Sequence, residues 1–241
     1  MRYCLLLICL WGCSQHQSPG ELKHNNDNAA KTHKDISVLV QKVYSIDKPH
    51  LLITKAEDQI SKMGHPILNK LDTSSKWPIN NIGIANSKDT DDVNKYLVMP
   101  TINSAFPQGI YFKWVQRYAG MDEYVLIPMV KGYPSVTIDS LDIDGIYINK
   151  MVSSKGDLMP NTEARPVNIV LTKTAKEKLK NYAKEPDSYV LLSFGFLGRK
   201  ISEVRSVEEI NQYGILQQYK YFPDSIKNTY STLAREDTIL K

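Results

Sequence analysis

All three cysteines of this 241-residue chain, Cys4, Cys9 and Cys13, lie within its first thirteen residues. The chain after Cys13 must therefore fold without a disulfide, and it has no cysteine to bind a metal or to act as a nucleophile. Its stability has to come from an ordinary apolar core. The length is sufficient for one sizeable core or for two small ones.

The N-terminus has the order of a secretory signal. Arg2 is followed by an apolar run over residues 3–11 and then by the small residue Gly12. The run is about half of the ~20 residues that a membrane-spanning helix needs, so no permanent transmembrane segment is predicted. The alternative is a buried apolar segment of the folded protein with incidental cysteines.

The motif Leu10-Trp11-Gly12-Cys13 resembles the lipobox of bacterial lipoproteins. Trp11 is a departure, because that family usually has a small residue at this position. The resemblance implies that residues 1–12 are a signal peptide and that cleavage leaves Cys13 as the first mature residue. It also implies that Cys13 is the lipidation site, diacylated on its sulfur.

The residue after the cysteine indicates which membrane holds such an anchor. In Gram-negative lipoproteins an aspartate at that position retains the protein at the inner membrane, whereas this chain has Ser14. The family pattern therefore predicts a lipid-anchored protein of the bacterial cell envelope, at the outer membrane and facing the periplasm.

The stretch that follows, residues 14–34, is polar, and Leu22 is its only large aliphatic residue. It cannot bury enough apolar surface to offset chain entropy, so residues 13–34 are predicted to form the lipidated cysteine and a disordered tether. A flexible tether of this length has a root-mean-square reach of roughly 25 Å. Its three histidines share no face, and no metal site is predicted there.

The rest of the chain divides into an N-terminal α+β region, residues 35–130, and a C-terminal α+β region, residues 131–241. The two regions form either one domain or two. In the first region, the alternating aromatic stretch 110–118 and the apolar stretch 124–130 predict a β-hairpin. Pro128 in the second strand favours an edge position or a bulge.

The C-terminal region contains the most regular pattern of the chain. Residues 166–171 predict a strand, Thr172 has the position of a helix N-cap, and residues 189–196 predict a second strand. The apolar residues of the intervening helix recur on one face. We therefore predict an α+β fold with an antiparallel or mixed sheet that includes a ferredoxin-like strand–helix–strand unit.

Residues 166–225 resemble the periplasmic head subdomain of the SecD translocase subunit. The resemblance rests on this strand–helix–strand unit and on the turn that follows it, Gly198-Arg199-Lys200-Ile201-Ser202. It covers a minor part of the chain, and the membrane spans of that translocase subunit are missing. It implies a fold for this part of the chain and no transport function.

The motifs of the chain predict no cofactor, metal site or catalytic residue. Asp139, Asp142 and Asp144 precede Gly145 as in part of an EF-hand loop, but Met151 occupies the position of the closing carboxylate. We interpret these acids as a turn between two strands. Nucleophile-elbow, phosphate-loop, dinucleotide-binding and zincin motifs are all missing.

Charge and aromatic content favour a protein partner. The 30 Lys and Arg and the 26 Asp and Glu are interspersed, which disfavours a nucleic-acid partner. Fourteen tyrosines and three tryptophans outnumber the five phenylalanines, and exposed Tyr and Trp are typical of protein interfaces. Tyr111, Trp114 and Tyr118 of the predicted hairpin cannot all share one face of a strand, so they are the candidate interface residues.

Together these features predict a membrane-anchored periplasmic lipoprotein that binds another protein and has no catalytic activity. Its partners are then the membrane, through acylated Cys13, and a protein that the sequence does not identify. An immunity protein against a periplasmic toxic effector and an envelope-assembly accessory are two concrete forms of this hypothesis. The alternative is a hydrolase of cell-wall or glycan substrates that uses dispersed carboxylates, since such pairs leave no local motif.

Overall fold

The computed structural model describes most of the chain from residue 35 onward. The described residues are 35–46, 51, 53–54, 58, 67–74, 81–117, 120–149, 163–184 and 188–236. The signal-peptide, lipobox and tether predictions concern residues 1–34 and lie outside the described residues, as does Tyr118.

The described part combines strands and short helices, so the predicted α+β class is confirmed. The strands are β1 (Val38–Lys42), β2 (Gly83–Asn86), β3 (Ile110–Gln116), β4 (Glu123–Val130), β5 (Val136–Ile138), β6 (Ile143–Ile148), β7 (Arg165–Leu171), β8 (Tyr189–Phe196), β9 (Arg199–Ser206), β10 (Ile215–Tyr221) and β11 (Ala234–Glu236). The α-helices are α1 (Ser87–Leu97), α2 (Pro100–Asn103), α3 (Lys173–Ala183), α4 (Val207–Tyr213) and α5 (Pro223–Thr229).

The strands form three sheets. Sheet A has the order β5-β1-β8-β9, sheet B has the order β2-β4-β3, and sheet C has the order β10-β7-β6-β11. Neighbouring strands are antiparallel except for the pair β6 and β11. Because β1 lies between β5 and β8, the two predicted regions, 35–130 and 131–241, share sheet A. A bridge between Val43 and Met129 also joins the end of β1 to sheet B.

The middle of sheet A is buried on both faces at β8, as the almost continuous apolar sequence of that strand predicts. Leu192 and Phe194 face one side and belong to the core shared with sheet C and with α3, α4 and α5. Leu191 faces the other side, where it packs with Val125 and Ile127 of sheet B. Burial of each such aliphatic side chain contributes about 1.5–3 kcal/mol. A third core fills the space between sheet B and the helices α1 and α2.

Helix α3 begins and ends where its sequence predicts. The Thr172 hydroxyl accepts a hydrogen bond from the Ala175 N–H at 3.2 Å, which confirms the predicted N-cap. Lys184 ends the helix in the left-handed conformation. The Ala183 carbonyl at this helix end accepts from the Lys42 ammonium at 3.2 Å and from the Ser188 hydroxyl at 3.3 Å, and the lysine fixes α3 on β1.

The ferredoxin-like unit is not confirmed. The strands on either side of α3, β7 and β8, lie in different sheets and make no ladder with each other. β7 pairs with β6 and β10, and β8 pairs with β1 and β9, so both strands already have two neighbours. The helix therefore connects sheet C to sheet A, and the packing of the C-terminal part differs from the predicted strand–helix–strand pairing.

The predicted hairpin is confirmed as β3 and β4, but the position predicted from Pro128 is wrong. Pro128 lies in β4, the central strand of sheet B, in regular register opposite Phe112. The Tyr44 N–H donates to the Pro128 carbonyl at 2.9 Å, from the side away from β3. The proline nitrogen points to that same side, beyond the end of β2, so its missing N–H removes no hydrogen bond from either ladder.

The acidic turn is confirmed as a 3₁₀ turn, Ser140–Asp142, between β5 and β6. The Asp139 carboxylate accepts from the Leu141 N–H at 2.9 Å, and the Asp142 carboxylate accepts from the Asp139 N–H at 3.4 Å. Asp142 also pairs with Lys178 at 3.0 Å, which links the turn to α3. These carboxylates therefore cap and brace a turn.

Candidate functional site

The edge strand β3 carries two of the three candidate interface residues, Tyr111 and Trp114. Its seven residues pair with β4 without any register shift. On its other side β3 makes no backbone hydrogen bond within the described residues. A strand in this position offers a row of donors and acceptors to another chain.

The register shows which backbone groups face the open side of β3. The carbonyl oxygens of Leu126 and Pro128 in β4 accept hydrogen bonds from the side away from β3. Trp114 lies opposite Leu126 and Phe112 lies opposite Pro128, and both are therefore non-hydrogen-bonded pairs. The N–H and C=O groups of Phe112 and Trp114 consequently point outward.

The other edge strands of the three sheets have features that discourage pairing with a second chain. β5 and β11 have three residues and β2 has four, and the pairing of β10 with β7 contains a register shift. β9 is as long as β8 but has four charged side chains, Arg199, Lys200, Glu203 and Arg205. Short length, irregularity and charge are the usual protections of an edge. By this comparison β3 is the least protected edge of the described strands.

The protection of β9 includes a largely buried ion pair. The Arg205 Nε lies 3.3 Å from the Glu203 carboxylate, and the side chain of Glu203 is only 8% exposed. Burial raises the pKa of Glu203 above its usual range, and the ion pair with Arg205 partly offsets this effect. A strand added to β9 would bury these charges further, at a cost in free energy.

The raised pKa of Glu203 gives a testable pH dependence. The folded chain keeps the Glu203 proton at a pH where the unfolded chain has lost it, so this group's contribution to the unfolding free energy decreases as the pH rises above the ordinary value of 4.5. The unfolding free energy of the wild type relative to Glu203→Gln should therefore fall with rising pH. Urea unfolding of both proteins at a series of pH values above 4.5 measures the difference between their unfolding free energies. A difference that rises with pH would contradict the raised pKa of Glu203.

One face of β3 packs against the helices α1 and α2. Phe112 and Trp114 contact the core of that layer, and the Trp114 Nε1 donates to the Asn94 side-chain oxygen in α1 at 2.9 Å. Phe112 packs edge-on against Phe106 with ring centroids 4.8 Å apart. These contacts hold β3 in place, so its outward backbone groups are presented by a rigid element.

The opposite face of β3 presents Tyr111, Lys113 and Val115 towards sheet A. Val115 is buried, whereas the Tyr111 side chain is 38% exposed. The Lys113 ammonium donates to the Gln41 side-chain oxygen in β1 at 2.6 Å. Burial lowers the pKa of Lys113 below its usual range. This face therefore combines an exposed phenol with a partly buried cation.

Near Tyr111 lies a second group of aromatic side chains. Tyr133 and Tyr182 pack edge-on with centroids 5.1 Å apart, and the Tyr133 hydroxyl donates to the Tyr182 carbonyl at 2.5 Å. Burial raises the pKa of Tyr182 to about 12; the Lys42 N–H opposes this rise, and the nearby phenols of Tyr133 and Tyr111 add to it. The Lys42 ammonium lies 5.0 Å from the centre of the Tyr133 ring. Tyr111 therefore lies near an aromatic pair of which Tyr182 is buried.

The structure separates the predicted interface residues. Tyr111 and Trp114 project from opposite faces of β3, Trp114 is largely packed against the helices, and Tyr118 lies outside the described residues. Their role in an interface stays a prediction. Sequence reasoning missed Lys113, although a lone charge in an otherwise apolar and aromatic strand was a visible signal.

A cavity of about 380 Å³ lies beside α1. Its lining combines an apolar floor with a charged rim: Ile67, Asn69, Lys70, Asp92, Lys95, Tyr96 and Met99. Asp92 pairs with Lys70 and, at 3.4 Å, with Lys95, and both lysines lower the pKa of its carboxyl. Among the described residues that line the cavity, Asp92 is the one carboxylate, and it already has two cationic partners.

Within the described residues no group of three or more His, Cys, Asp and Glu side chains is placed to hold a metal ion. No helix in this part of the chain is long and apolar enough to cross a membrane. Comparison of the chain with protein-family models, with curated proteins and with solved structures finds no match.

Proposed function

We propose that the chain is a membrane-anchored lipoprotein of the bacterial cell envelope that binds another protein through the open edge of β3. The lipobox resemblance at Cys13 supports the anchor and the periplasmic location. The regular and open edge of β3, the least protected edge of the described strands, is the observation that carries the binding function. An immunity protein against a periplasmic effector and an envelope-assembly accessory remain the two concrete forms of the proposal.

Strand addition fits the geometry of this edge. An extended segment of the partner would form main-chain hydrogen bonds with the outward groups of Phe112 and Trp114, while alternate side chains would provide specificity. The side chains of these two residues are already packed against the helical layer, so the edge loses little further conformational freedom on binding. Tyr111 offers a large, rigid and partly exposed contact beside the same edge.

Capture of a partner from envelope extracts by the detergent-solubilised full chain tests this function. Tyr111→Ala should weaken partner binding about 30-fold, as is typical of a hot-spot residue. Gln116→Pro should also weaken partner binding. Residue 116 is exposed and its N–H faces outward like those of Phe112 and Trp114, and a proline there cannot donate to an added strand. Tyr213→Ala is the matched control, since Tyr213 is 51% exposed and lies on α4.

The expected result is one stoichiometric partner that wild type and Tyr213→Ala retain and that both β3 variants lose. Absence of any stoichiometric partner, or equal retention by all four proteins, would contradict the proposal. The hydrolase alternative has no comparable support among the described residues, because the one lining carboxylate of the α1 cavity is held by two lysines.

A further inference from the structure

Lys113 is the one charged residue of β3, and its position constrains any strand that pairs with this edge. Its ammonium lies on the face of sheet B that is directed at sheet A, and its described polar partner is the neutral side chain of Gln41. Burial lowers the pKa of Lys113. Among the described residues no carboxylate pairs with this cation, which is therefore already partly desolvated beside a neutral partner.

The register places Lys113 where a new strand would approach it most closely. Lys113 is in a hydrogen-bonded pair with Ile127 of β4, because the neighbouring pairs at Phe112 and Trp114 are non-hydrogen-bonded. The N–H and C=O groups of Lys113 point towards β4 and away from the open edge. With an antiparallel strand added at that edge, Lys113 would therefore form a non-hydrogen-bonded pair. Side chains in such pairs are closest, with Cβ atoms about 4.5–5.5 Å apart.

A strand added at this edge would remove water from the open side of the ammonium. Burying a cation without a partner is costly, whereas a carboxylate directly opposite forms a charge-assisted hydrogen bond. The residues two positions away on the added strand would face Tyr111 and Val115 on the same side of the sheet. Apolar or aromatic side chains fit those two positions.

We propose that the partner recognised by β3 is an extended antiparallel segment with an Asp or Glu opposite Lys113 and apolar residues two positions to either side. The inference rests on the proposed function, whose binding edge it uses. The charge of Lys113 also disfavours one mode of self-association, because a second copy of β3 centred on Lys113 would place two ammonium groups opposite each other.

A displayed library of random nine-residue peptides, selected on the purified full chain, tests the charge requirement without knowledge of the natural partner. Wild type should enrich Asp or Glu at one fixed position with apolar residues two positions away. Lys113→Glu should enrich Lys or Arg at that position instead. Lys200→Glu, an equal charge change on the exposed edge of β9, is the matched control and should select the same peptides as wild type.

Two further measurements separate the possible results. Lys113→Gln, which removes only the charge, should weaken the acidic peptides about tenfold. Hydrogen exchange should show that these peptides protect the amides of Phe112 and Trp114, and circular dichroism checks that each variant is folded. Selected peptides that protect both amides without an acidic preference would overturn the charge inference and leave edge binding intact. Selected peptides that leave both amides unprotected would overturn the inference and count against the proposed edge as well. A wild-type dimer that protects both amides would overturn the inference alone, because it would show that the edge pairs with a second copy of the chain.

Discussion

Cys13→Ala should abolish fatty acylation of the protein and release it from the membrane fraction. If the lipobox resemblance holds, Cys13 is the acceptor of the lipid, and no other cysteine remains in the mature chain. Each buried methylene of an acyl chain contributes about 0.8 kcal/mol, and two chains hold a protein where one holds it only marginally. The loss of both chains removes this entire free energy of membrane binding.

Metabolic labelling with palmitate, followed by fractionation after a carbonate wash, measures the effect. Cys4→Ala and Cys9→Ala are matched controls, because both cysteines lie in the predicted signal peptide and should leave labelling unchanged. Retention of the label, or of the protein in the washed membranes, would refute the lipoprotein assignment. The outcome is independent of the β3 edge, so anchorage and partner binding are tested separately.

Gly214→Ala should destabilise the folded chain by about 3 kcal/mol or more, through strain of the backbone and steric overlap. Gly214 joins α4 to β10 with φ 80° and ψ −168°, a conformation that essentially only glycine adopts. A Cβ atom there would lie 2.5 Å from the Ile169 carbonyl oxygen and 2.9 Å from the Asn168 side-chain oxygen. The first of these is backbone of β7, which cannot move without disturbing sheet C.

Gly132→Ala is the matched control for this prediction. Gly132 also has a positive φ, 74°, but a Cβ atom there would have no neighbour within 4 Å. We expect Gly132→Ala to cost about 1 kcal/mol, the conformational part alone. Urea unfolding of the three proteins measures both losses, and equal losses would show that the contact with β7 is unimportant.

Local patterns predicted the individual elements well. The Thr172 cap, the α3 helix and the hairpin of β3 and β4 depend on residues close together in sequence, and all three are confirmed. The full set of partners of β7 and β8 could not be predicted, because each strand has one neighbour from a distant part of the chain, β10 for β7 and β1 for β8. The prediction that Pro128 lies on an edge strand was wrong for a related reason. A proline is accommodated in the central strand β4 because the pairing with β2 ends at Leu126, which the sequence near Pro128 does not indicate.

The candidate site was predictable only in part. Aromatic content identified the hairpin, and the uneven spacing of Tyr111 and Trp114 predicted that they occupy different faces. The importance of Lys113 depends on Gln41, which is 72 residues away in sequence. The weaker protection of β3 becomes visible only when the lengths and charges of the other edge strands are compared. Such features are properties of the assembled sheets.

The central place of β1 in sheet A has a consequence for the kinetics of folding. The register pairs Val38 with Phe194, so β1, the first of the described strands, gains its principal neighbour only after most of the chain has been synthesised. Contacts of such high sequence separation slow folding, because a long loop must close before they form. Under the proposed function the chain crosses a membrane before it folds, and slow formation of sheet A would leave more time for that export.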